Sequence, residues 1–191
     1  AKYLVKEAHA NIEARNSDGL TPLMKAVEKS WLPTTFDLIK CLVEARANLE
    51  ARSNGGDTAL SLAARGSGEE EDWASCGDDV DVVQFLVNEA RANLETRDDD
   101  EITPLMFATF QRRTNIVRCL VDARAEPRAR MKIELLGNSK TAWDVAMEKG
   151  YDEIAEILQE GTMRLRDKCE DVEQCRTGRI RDAIRKHLPR L

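Results

Sequence analysis

Apolar residues spaced three and four apart recur along this chain in short stretches, each closed by nearly the same polar phrase. The stretches are Tyr3-Leu4-Val5 and residues 36–43, 80–87 and 115–121, and their spacing puts the apolar side chains on one helical face. The phrase reads HANIEAR at residues 9–15, RANLEAR at 46–52, RANLETR at 91–97 and, in degraded form, RAEPRAR at 124–130. A second signal opens another helix in each unit: Thr21-Pro22-Leu23, Thr58-Ala59-Leu60, Thr103-Pro104-Leu105 and Thr141-Ala142-Trp143. Threonine caps free N–H groups at a helix start, and proline in the first helical position forfeits no hydrogen bond. Small residues follow at Ala26, Ala63, Ala64, Ala108 and Ala146, which lets neighbouring helices approach closely. Self-similarity at such a period is the mark of a stacked repeat array.

The matched phrases resemble the ankyrin repeat, and the resemblance covers residues 1–161. It implies an all-α fold, an ankyrin-repeat solenoid of helix-turn-helix units with hairpin loops, followed by a C-terminal helical extension. The chain then divides into a partial repeat at 1–15, repeats at 16–52, 53–97, 98–130 and 131–161, and a basic helical tail at 162–191. The starting threonines lie 37, 45 and 38 residues apart, against a family period of about 33. Three insertions account for the excess. The first lies around Trp31-Leu32-Pro33 and the second spans 68–79, both between the two helices of their repeats. The third falls in the hairpin 131–140, because 103–125 reads without a gap. Loop closure entropy grows slowly with length, so the stack is expected to accommodate all three.

The chain also departs from the family pattern. Met24, Ser61, Met106 and Asp144 stand where the family usually has histidine after the threonine phrase, so the hydrogen bonding there must differ. His9, Arg46, Arg91 and Arg124 stand where the second helix usually ends on a left-handed glycine. Keeping that geometry without glycine costs roughly 1 kcal/mol per position. The hairpin glycines Gly19 and Gly56 give way to Glu101 and Ser139, so the later hairpins are expected to be less regular.

Composition narrows the function. With 42% apolar but only 5% aromatic residues, the core must come from aliphatic side chains. A net charge of −6 excludes a nucleic-acid binder that uses the whole chain, and no nucleic-acid partner is expected. Five cysteines without framework spacing point to free thiols in a reducing, intracellular setting, cytoplasmic by default and organellar if an upstream targeting segment has been removed. Cys41 and Cys119 share one place in their second helices and should be buried, while Cys169 and Cys175 would lie about 240° apart on one helix and should not bond. No apolar run reaches the roughly 20 residues of a membrane span. His9 and His187 are the only histidines, neither in metal-ligand spacing with a cysteine, and no phosphate loop or nucleophile motif is present. No catalytic, cofactor-binding or metal residues are therefore assigned, and the chain reads as non-catalytic.

The resemblance implies partner contacts at hairpin tips and on the exposed side of the first helices. Those positions are Met24, Lys25, Glu28 and Lys29, then Ser61 and Arg65, then Met106, Phe110 and Gln111, then Asp144 and Glu148. Phe110 suits either a contact or a core residue covering its neighbour. Met131, Ile133, Leu135 and Leu136 put four large apolar side chains in the long hairpin, which either projects as a contact patch or folds back over the last repeat. The acidic insertion 68–79 reads as a solvated loop, or as a dock for a basic partner. Trp73 within it and Trp31 in the neighbouring insertion are expected to pack near each other or to face one partner together.

In the tail, Arg176, Arg179, Arg181, Arg185, Lys186 and Arg190 face Asp182 alone over residues 176–191. That is a net of +5, leaving −11 for the remainder. Ile180, Ala183, Ile184, His187 and Leu188 share one side of a helix, with Arg181, Ile184, Arg185 and Leu188 as the expected contacts. Such a segment can lie on an anionic membrane, enter a partner groove or cap the last repeat. Its small apolar face without aromatics favours the last two. The implied function is a scaffold or adaptor binding one or more proteins. The alternatives are a fixed subunit of a large, perhaps organellar, assembly and a regulatory part of a longer enzyme. Because residue 1 falls inside a second helix, further repeats upstream or a covering partner are expected at that end.

Overall fold

Each first helix begins where its threonine phrase places it. In the computed structural model, which describes residues 11–30, 32, 34–66, 80–131 and 139–165, α1 spans Pro22–Glu28 and α2 Thr35–Glu44. They are followed by α3 (Ala59–Arg65), α4 (Val80–Gln84), α5 (Pro104–Phe110) and α6 (Thr114–Asp122). A short antiparallel ladder of β1 (Arg130–Met131) and β2 (Lys140–Thr141) pairs Arg130 with Thr141 and Met131 with Lys140. It leads into α7 (Ala142–Lys149) and a last helix, α8, over residues 152–165.

The four threonine hydroxyls accept hydrogen bonds from the backbone N–H of Met24, Ser61, Met106 and Asp144 at 3.2–3.4 Å. Three of these residues return the bond: Met24 Sδ accepts from Thr21 N at 3.5 Å, Ser61 Oγ from Thr58 N at 2.8 Å and Asp144 Oδ2 from Thr141 N at 2.8 Å. The place that histidine usually fills therefore keeps a reciprocal cap with other side chains.

First helices pack on one another in succession, α1 on α3, α3 on α5 and α5 on α7, and each also packs on the second helix of its own unit where that helix is described. Ala26, Ala63, Ala108 and Ala146 are buried at the same register, and Leu23, Leu60 and Leu105 fill the space beside them. Each buried leucine contributes roughly 1.5–3 kcal/mol.

The polar phrase proves to be the connector between repeats. Its asparagine closes a turn by accepting from the N–H of the glutamate two residues on, at 3.0 Å in Asn11, Asn48 and Asn93. The glutamate carboxylates then reach the next unit: Glu13 accepts from Asn48 N at 2.8 Å, Glu50 from Asn93 N at 2.9 Å and Glu95 from Glu126 N at 2.8 Å. Arginine closes the phrase in the same direction. Arg15 donates to the carbonyl of Arg52 (2.6 Å), Arg52 to that of Arg97, and Arg97 to that of Arg130 (2.7 Å). Hairpins stack beside this ladder, with Asn54 N donating to Asp18 O and Asp99 N to Gly55 O. A Cβ at Gly19 or Gly56 would stand 2.8 Å from the backbone nitrogen of Asn54 or Asp99. The glycines thus permit both the left-handed turn and the close stacking.

Three local outcomes differ from simple repetition. Arg46, Arg91 and Arg124 do adopt the left-handed backbone, at φ of 66°, 59° and 73°. Glu101, expected to loosen its hairpin, instead holds φ 60° and keeps the Asp98 N to Ile102 O bond that its counterparts make. The second unit also carries one residue more than its neighbours before the phrase, "FLVNEAR" against "CLVEAR" and "CLVDAR". A π-helical turn at Phe85–Glu89 absorbs it, with Ala90 N bonding Phe85 O at 3.0 Å. Phe85 stays packed edge-on to Phe36, centroids 5.8 Å apart.

The final helix does not stop at Gly161, where the sequence pattern ends the repeat. It continues to residue 165, and Arg164 pairs with Asp122 of α6 at 3.0 Å. Gly161 sits against α6, where a Cβ would lie 2.5 Å from Val121 Cγ1. Gly161→Ala is expected to destabilise the protein by about 1–3 kcal/mol through overpacking, and Arg124→Gly to stabilise it by about 0.5–1 kcal/mol. Urea denaturation of both variants should shift the midpoint in these opposite directions.

Candidate partner-binding site

The exposed side of the first-helix row is set by register. Third positions after the capping threonine are consumed by the caps, so Met24 and Met106 are each 1% exposed and Ser61 is buried too. Placing Met24 and Met106 at a partner surface is thereby corrected: both side chains fill the core, that of Met24 also accepting from Thr21 N. The surface is made instead by Lys25 and the seventh positions. At the fourth position Lys25 is exposed while Leu62, Phe107 and Val145 are buried, and the seventh positions Glu28, Arg65, Phe110 and Glu148 are half-buried or exposed.

Lys25 is exposed and paired with Glu28, whose carboxylate raises the lysine pKa through their hydrogen bond. Arg65 is held at 2.6 Å by Asp57, which also accepts from Ser61 Oγ at 3.3 Å. So fixed, the Arg65 guanidinium lies over the Phe107 ring of the next repeat, 5.1 Å from its centroid. From the other side Lys149 of α7 reaches back over Phe110 at 5.7 Å. Phe110 itself is half-buried, covering its neighbours while keeping one edge in solvent. The centre of the row is thus the half-buried Phe110 ring under Lys149, with Arg65 covering the buried Phe107 ring one turn earlier, each cation coming from an adjacent repeat.

Met131, expected to project with the long hairpin, is only 7% exposed and is a further correction. It lies in the β1–β2 ladder and packs into the core cluster. Ile133, Leu135 and Leu136 lie outside the described residues, as do Trp31, Trp73, the whole acidic insertion 68–79, and Arg181, Ile184, Arg185 and Leu188 of the tail. Cys41 is buried, while Cys119 is only part-buried, and burial with the nearby Asp122 raises its thiol pKa.

Sequence reasoning missed three features. Phe107 is buried one residue past the cap position, where Arg65 of the preceding repeat covers its ring. The Glu–Arg ladder was legible as polar residues repeated at fixed register in an otherwise solvated loop. Trp143 occupies the place of Leu23, Leu60 and Leu105 but is 42% exposed. Its signal was its position in the last recognisable unit.

Among the described residues there is no group of three His, Cys, Asp or Glu side chains placed to hold a metal ion, and no helix long and apolar enough to cross a membrane. A family model described as ankyrin repeats (3 copies) matches residues 1–71 and, again, residues 72–168. No curated relative matches the chain.

The hairpin tips carry one electrostatic conflict. Asp98 takes the place that Asn16 and Ser53 hold in the earlier hairpins, accepting from the N–H of Asp100 at 3.0 Å and of Ile102 at 2.7 Å. Burial raises its pKa, opposed by the Ile102 hydrogen bond and aided by the charge of Asp100. A carboxyl that holds its proton more tightly in the folded state loses stability as pH rises from its unfolded to its folded pKa. Asp98→Asn keeps the acceptor and removes the titration. Thermal melts should show the variant more stable than the parent at neutral pH, with the gain vanishing once pH falls below the ordinary carboxylate range.

Proposed function

The chain belongs to the ankyrin-repeat family, and from that premise we propose that it is a scaffold or adaptor whose protein partner lies along the first-helix row, centred on Phe110. Ankyrin repeats are generally protein–protein interaction modules and are typically non-catalytic. One observation supports this placement above the others: Phe110, half-buried on the exposed side of the row, lies under Lys149 of the following repeat, and Arg65 of the preceding repeat is fixed over the buried Phe107 ring one turn earlier. Aromatic and arginine side chains held rigidly at the centre of a surface are what binding hot spots are made of. The rigidity comes from the cap and ion-pair network beneath them, so little side-chain freedom is lost on binding. Lys25 extends the row, and the hairpin residues Leu135 and Leu136 extend the reading toward the tips.

The partner is to be captured on the tagged chain from its own cells and its affinity then measured with purified components. Phe110→Ala and, separately, Lys25→Glu should each weaken it, the former by about tenfold or more, with unchanged circular dichroism. Leu135→Ser with Leu136→Ser tests the hairpin in the same assay. Wild-type affinity in the folded Phe110 and Lys25 variants would remove the row as the binding surface.

A further inference from the structure

The array has an uncovered end. At the second position after the threonine, Leu23, Leu60 and Leu105 are buried, and at the sixth so are Val27, Ala64 and Thr109. Their counterparts in α7, Trp143 and Met147, are 42% and 52% exposed. The same contrast holds on the second helix. Val121 of α6 is covered by Gly161 of the next unit, whereas its counterpart Gln159 in α8 is exposed, and Met163 one turn further is 49% exposed. The shared difference is that, among the described residues, no following helix pair covers α7 and α8. Trp143, Met147 and Met163 form an apolar face with polar Gln159 among them.

Another repeat of the same kind is not what this face is built for. The connecting glutamate of the phrase becomes Arg128, which cannot accept a backbone N–H, and Arg130 ends the ladder on Ser139 Oγ at 3.0 Å. The left-handed turn is lost as well, because α8 runs through the register of Arg124 at Thr162 without a break.

We propose that residues 176–191 of this same chain cover the Trp143–Met147–Met163 face as an intramolecular cap. The chain after 165 provides the reach. About ten residues join it to position 176 and can span roughly 35 Å, while the 14 residues of α8 measure about 21 Å. Charge is complementary. The described last unit, 139–165, carries Asp144, Glu148, Asp152, Glu153, Glu156 and Glu160 against Lys140, Lys149 and Arg164, a net of −3. The segment carries +5. Its chemistry fits an apolar face on a net-acidic unit, because on a helix Ile180, Ala183, Ile184 and Leu188 would share one side with the arginines flanking them. The surface is separate from the Phe107 and Phe110 rings, so this cap does not depend on the adaptor reading.

The test uses the full chain with Ile184→p-benzoylphenylalanine, whose photoactivated ketone inserts into nearby C–H bonds, with peptide mapping by mass spectrometry. Cross-links within one chain to the peptide bearing Trp143 and Met147, or to that bearing Met163, are expected. Their yield should fall by about twofold or more in 0.5 M salt, through screening, and also with Arg181→Glu plus Arg185→Glu. Cross-links between two chains would assign the face to a second copy and overturn the proposal. Links elsewhere in the chain, or none in a folded protein, would overturn it as well.

Discussion

A helix pair with one apolar face gains stability only when a neighbour covers that face, and here the neighbour's register is set by a carboxylate and a guanidinium reaching across each junction. Glu13, Glu50 and Glu95 each bind a backbone N–H of the following unit, while Arg15, Arg52 and Arg97 each bind a backbone carbonyl of the following unit. Both contacts are made at the base of the hairpins, away from the ends of the helices. Insertions between the helices, and even the extra residue taken up by the π-helical turn at Phe85–Glu89, therefore leave the junctions unaltered. Charge-assisted bonds of this kind contribute about 1.5–3 kcal/mol each where they are sheltered and less where solvent reaches them. Their greater effect is on orientation, since a glutamate fixed to one backbone nitrogen allows only one stacking register.

Uniform stacking delivers the surface features at defined intervals. Because α3, α5 and α7 are held in register, Arg65 arrives over the buried Phe107 and Lys149 over the half-buried Phe110, so each cation is fixed on a ring of the neighbouring repeat. The same regularity creates a problem where it ends. Trp143 and Met147 stand exposed because no described helix pair packs on α7 from that side, and terminal units of such arrays need a polar or covered outer side. The two ends of the argument, a surface for a partner and a face for a cap, thus follow from one stacking rule.

Much of this was readable in the chain. The threonine phrases located the start of every first helix, and the recurrent RANLE phrase revealed the period, because both depend on short-range hydrogen bonds that local sequence determines. The left-handed arginines were legible for the same reason. Surface assignment was less so. Met24 and Met106 read as contacts because their position is polar in the family pattern, yet here the side chains turn inward at the cap. Met131 read as a projecting hairpin residue, but strand pairing with Lys140 turns it to the core. Both errors concern the direction of a side chain, which depends on tertiary packing rather than on spacing along the chain.

Amide hydrogen exchange over the whole chain, comparing the parent with Glu95→Ala, tests the junction account most directly. Exchange should speed up in α5 to α8, beyond the weakened junction, while α1 and α3 keep their protection. Equal acceleration in every helix, or none in any, would contradict an array held together junction by junction.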